Sequence, residues 1–128
     1  MYEPALKQPG ATDGAGPLSP LERAALAALL AGEGHGLQVL RDQLGKATVA
    51  SRTHSGVGFV TRIVVPDDVP ALPVAATPRL QPLRAAHPRL AEAAQFLLEL
   101  RGGRLAVLEA YCFEGMWPAD EAQFRMLA

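Results

Sequence analysis

Two adjacent glycines, Gly102 and Gly103, sit between the apolar runs Phe96-Leu97-Leu98 and Leu105-Ala106-Val107-Leu108. In a helix each glycine would cost about 1 kcal/mol relative to alanine. A two-residue hairpin turn favours them, because both of its central residues take positive φ. The pair therefore predicts an antiparallel hairpin, residues 95–101 against 104–111, and most of the remaining chain must pack around it. The helix-forming composition of residues 90–95 pulls the other way, but the alternation Phe96, Leu98, Leu100 toward the glycines decides for strand.

The 128 residues are enough for one domain. Hydrophobic residues make up 49% and aromatics only 5%, so the core must rest on Leu, Val and Ala. Residues 1–17 contain Pro4, Pro9, Pro17 and three glycines without apolar periodicity, which predicts a flexible N-terminal arm; the domain is expected over 18–128. Ser19-Pro20-Leu21-Glu22 then reads as a capping box with proline in the first turn. It should open a helix that runs to about residue 31, with Leu26, Leu29 and Leu30 on its buried stripe. A second helix is predicted over 35–44, with Leu37, Leu40 and Leu44 on one side and Gly45 as its stop.

From Ala47 the period changes to two. Strands are expected over 47–53 and 59–65, the latter with Phe59, Thr61, Ile63 and Val65 on one face and Val60, Arg62 and Val64 on the other. Six of the eleven prolines fall between Pro66 and Pro88. That spacing predicts a long crossing segment with one helical turn near 82–86, and a segment of that length suits a binding role. The tail, 120–127, fits either a last edge strand or a helical turn. The fold class is α+β: an N-terminal helical pair on an antiparallel sheet of about four strands made of two hairpins.

Gly56-Val57-Gly58-Phe59, the strand ending in Val65-Pro66, Gly103-x-Leu105, Leu108-Glu109-x-Tyr111 and Trp117-Pro118 together resemble a group of small uncharacterised bacterial proteins, a domain of unknown function. The resemblance covers roughly residues 19–126. It implies an α+β shape and no activity. Ala110, where glycine is usual, and Cys112, where a hydroxyl residue is usual, depart from the pattern.

Chemistry-bearing residues are few. Glu109 lies within a strand, where an acid serves as a general acid or base if buried, or faces solvent and pairs with a neighbouring arginine if not. Arg79, Arg84 and Arg89, with His87, form a basic stretch with no acid between Asp68 and Glu92; it suits a phosphate, a carboxylate or an acidic partner. Trp117 reads as a partner anchor or as a cover for the open end of the sheet. His35, His54 and His87 show no metal-ligand spacing, and His54-Ser55 is better explained as a turn than as a nucleophile with its base. Asp67-Asp68 fits an Asx-turn, Gly56-x-Gly58 leads into a strand and not into the helix a phosphate loop requires, and Cys112 fits the core.

The net charge of −1 exerts no pull toward nucleic acid or anionic lipid, and aromatic interleaving for single strands is missing. No metal and no cofactor are expected. The N-terminus lacks the pattern of a signal peptide and no apolar helix is long enough to span a bilayer, so a cytoplasmic location is expected, with no membrane partner. The expected function is a non-catalytic protein–protein interaction module, of adaptor or toxin-neutralising type. It would act on another chain or on itself, as a homodimer formed through an edge strand or through the surface around Trp117. The second expectation is a small enzyme or ligand-binding domain with a pocket near Glu109 and the 79–89 segment.

Overall fold

The computed structural model describes residues 10–127. Its order is β1 (Thr12–Asp13), α1 (Pro20–Leu29), α2 (His35–Leu44), β2 (Thr48–His54), β3 (Gly58–Val64), β4 (Leu83–Ala86), β5 (Ala94–Arg101), β6 (Arg104–Tyr111) and β7 (Arg125–Met126). Single 3-10 turns lie at Val74–Ala76 and Glu121–Gln123. The strands form one antiparallel sheet in the order β1-β2-β3-β6-β5-β4-β7.

The α+β class, the helical pair and both hairpins stand, but the sheet has seven strands and not about four. Three short strands account for the difference. β4 occupies the place where a helical turn was expected: Leu83 and Ala85 are buried and pair with Phe96 and Ala94, and Pro82 precedes the strand, where its missing N–H does no harm. β7 comes from the tail, which also contributes a 3-10 turn. β1 comes from the segment expected to be a mobile arm. Gly16 and Val49 exchange backbone hydrogen bonds of 3.0 and 2.7 Å, and the His54 N–H donates to the Ala11 carbonyl at 2.8 Å. Backbone bonds hold this stretch, so the lack of apolar periodicity gave no sign of it; residues 1–9 of the arm lie outside the described residues.

Both sheet borders are therefore two-residue strands, β1 and β7. Short edge strands give another chain little to pair with.

The core lies between the helices and one face of the sheet. It joins Leu21, Leu26, Leu30 and Leu40 to Val49, Phe59, Ile63, Phe96, Leu105 and Leu108. The predicted faces of β3 hold: Phe59, Thr61 and Ile63 are buried, while Arg62 and Val64 are exposed. At the β5–β6 turn Gly102 and Gly103 both take positive φ, 58° and 75°. Gly103 has a second reason to be glycine, because a Cβ there would sit 1.9 Å from the Leu72 carbonyl oxygen. The Leu72 N–H donates to the Gly103 carbonyl, which also accepts from the fully buried Gln43 of α2. Gln43 donates to Pro70 O as well and accepts from the Leu105 N–H. One amide thus ties α2, the crossing segment and the hairpin together.

A bulge between Val49 and Ser51 determines what β2 presents to the helices. Past it Ser51 pairs with Arg62 on the open face, and Arg52 and His54 pair with Thr61 and Phe59 on the covered face. Because strand side chains alternate, that one-residue slip exchanges the two faces.

Candidate functional site

Arg52, carried inward by the bulge, meets the first turn of α1. The capping box forms as predicted: the Glu22 N–H donates to Ser19 Oγ at 3.0 Å and the Ser19 N–H donates to Glu22 Oε1 at 2.7 Å. Glu22 is completely buried, and its carboxylate does more than cap. Arg52 donates Nη2–H to Oε1 at 2.5 Å and Nε–H to Oε2 at 2.7 Å, a bidentate pair, and the Thr61 hydroxyl donates to Oε2. Burial alone would push the Glu22 carboxyl up. The hydrogen bonds from Arg52, Thr61 and Ser19 outweigh it and hold the group below its ordinary value.

Arg52 Nη1 also reaches Asp13 of β1 at 3.1 Å, and His54 Nε2 lies 3.1 Å from the same carboxylate oxygen. A carboxylate only accepts, so Nε2 carries the proton. Across from them the Trp117 indole N–H donates to Glu121 Oε2 at 2.7 Å. Burial raises the Glu121 carboxyl above its ordinary value, and the Trp117 bond only partly offsets this. Asp13, Arg52, His54, Trp117 and Glu121 line a cleft of about 240 Å³. It has the residue types of a catalytic site, yet each bond described so far ties one part of the fold to another. Arg52 gives three of its N–H groups to Glu22 and Asp13.

A second, larger depression of about 740 Å³ opens where the end of α1 and the start of α2 meet the 79–84 segment and the C-terminal residues. Its apolar wall includes Leu29, Leu37, Leu80, Leu83 and Met126, and Arg79 and Arg84 line it as well. Neither guanidinium has a hydrogen-bond or ion-pair partner among the described residues. Gly36 lets the segment before Arg79 close on α2: a Cβ there would lie 3.0 Å from Ala76 O and 3.6 Å from Pro78 Cδ. The carbonyl oxygens beyond the end of α1 do not neutralise the groove, since Leu30 O and Gly32 O accept from Arg41 at 2.6 and 2.9 Å.

The residues singled out in the sequence separate. Arg79 and Arg84 share the groove, whereas Arg89 is exposed in a turn where its N–H donates to His87 Nδ1. Glu109 is exposed on the uncovered sheet face, between Val60 and Leu97, and is not among the residues lining either depression. Glu109 and the arginines therefore share neither of these two depressions. Trp117 is no exposed anchor. It is 7% exposed and packs edge-on against Phe59 and Phe96, with Phe124 at 4.9 Å, so it covers the end of the sheet from within the core. His87 is buried and structural: Nε2 donates to Asp120 O at 2.7 Å while Nδ1 accepts from Arg89. Cys112 is buried, and desolvation pushes its thiol up.

The sequence reading missed Glu22, Arg52 and Asp13 as one cluster. The capping box placed Glu22, but only the bulge register brings Arg52 to it. Among the described residues no group of three or more His, Cys, Asp or Glu is placed to hold a metal ion, and no helix is long and apolar enough to cross a membrane. No protein-family model, curated protein or solved structure matches the chain.

Proposed function

We propose that this chain is a non-catalytic protein–protein interaction module whose working surface is the groove bounded by α1, α2 and the 79–84 segment. The observation that supports this reading is the pairing of an apolar wall with two arginines that have no acceptor within the described fold. An enzymatic reading would need the polar cleft instead. There Arg52, His54 and Trp117 are each committed to a carboxylate of the fold, and among the described residues no nucleophile is hydrogen-bonded to His54. With short border strands and a buried Trp117, the proposed partner is another protein.

The test uses a displayed library of random peptides selected on the full chain. Selected peptides are then measured against Ala31→Trp, which fills the groove from an exposed position on its wall. The expected outcome is a loss of at least about tenfold in affinity with an unchanged melting curve. Binders indifferent to Ala31→Trp, or no binders at all, would overturn the reading.

A further inference from the structure

Resting on that reading, we infer that the occupant of the groove is a segment of another protein that sets apolar side chains on the wall and a carboxylate between Arg79 and Arg84. Among the described residues no Asp or Glu lines the groove, and no acid occurs in the chain between Asp68 and Glu92. The carbonyl groups following α1 are covered by Arg41. The charged side chains that line the groove among the described residues are therefore both positive. A guanidinium with free N–H groups pairs best with a planar, two-oxygen acceptor.

The apolar part of the occupant follows from the wall. Leu29 and Leu83 belong to the core, and Leu37, Leu80 and Met126 pack against it while remaining partly open to water. Around them Arg79, Gln81, Pro82 and Arg84 are exposed. An apolar floor inside a polar, wet rim is the anatomy of a protein contact, and arginine is among the residues that dominate binding there.

The experiment takes the tightest groove-binding peptide from the selection and synthesises it with Glu, Gln or Lys at its acidic position. Affinities are measured on the wild-type chain and on the double variant Arg79→Glu/Arg84→Glu, with decanoate as a competing probe. The expected order on wild type is Glu over Gln over Lys, with at least about tenfold between Glu and Lys, and the double variant should abolish or reverse it. Peptides blocked by Ala31→Trp but indifferent to their own acid, or to the double variant, would leave the groove a docking surface and overturn this inference. Decanoate binding with the same arginine dependence, and no peptide binding, would assign the groove to a small amphiphile and overturn both readings. A selection that yields no groove binder overturns the interaction reading and this inference with it.

Discussion

Arg52 and the pair Arg79 and Arg84 carry the same group into opposite circumstances. The Arg52 side chain is 17% exposed and donates to two carboxylates, one of them completely buried. Arg79 and Arg84 are exposed and donate to none among the described residues. The polar cleft looks the more chemical of the two regions because its residue types are those of catalysis, but its bonds connect β1, α1, β2 and β3 to one another. The groove mixes apolar side chains with Arg79, Gln81 and Arg84, and its two charges have no partner among the described residues. The proposed working surface rests on whether its ionisable groups are already engaged, not on how densely they cluster.

The comparison breaks or holds on how much stability each region carries. Arg52→Met should have the largest effect, about 3–5 kcal/mol in denaturant melts, because it strands a buried carboxylate without its counter-charge. The same cluster governs the acid limb. Glu22 sits below its ordinary value of 4.5 in the folded protein, so its stabilisation is complete above that pH and is lost as the pH falls through the lower folded value. Wild type should lose stability over that window. Arg52→Met, whose Glu22 is no longer held down, should show a flatter slope in pH-dependent melts.

Asp13→Ala should cost about 1 kcal/mol, since its carboxylate is partly solvated and Arg52 keeps its bidentate partner. A loss as large as that of Arg52→Met would mean that β1 carries more of the fold than two strand residues imply. Glu121→Gln comes next. Its folded carboxyl is raised, so the ionised form is disfavoured above that value and the penalty is relieved on acidification. The amide still offers an oxygen to the Trp117 indole, and the variant should melt within about 1 kcal/mol of wild type at neutral pH, on the stabilising side. Arg79→Glu/Arg84→Glu should be smallest, within about 0.5 kcal/mol of wild type. A large loss there would show that the groove arginines support the fold after all.

Much of the architecture could be read from local chemistry. The double glycine fixed the hairpin, the capping box fixed the start of α1, and Gly45 followed the end of α2 as expected. Elements of two to four residues, β1 and β4, gave too little periodicity to be recognised, and for β7 the tail left strand and helical turn open. The site was less visible for a related reason. Strict alternation from Val49 would have sent Arg52 to the open face, and nothing in Val49-Ala50-Ser51 announces the bulge that turns it inward. Arg79 and Arg84 were noticed because their stretch lacks acids, while the wall they border is assembled from four separate parts of the chain and has no sequence signature.

Glu22 closes the cap of α1 with one carboxylate oxygen and shares the same group with partners 30 and 39 residues further along the chain. An isolated ten-residue helix is marginal in water, and here its first turn is completed by residues of β2 and β3. The two structures therefore cannot mature independently: the first turn of the helix reaches its final strength only when the hairpin has docked. In kinetic terms, weakening the cap at Ser19 should accelerate unfolding far more than it slows folding, which places this corner of the molecule among the last to consolidate.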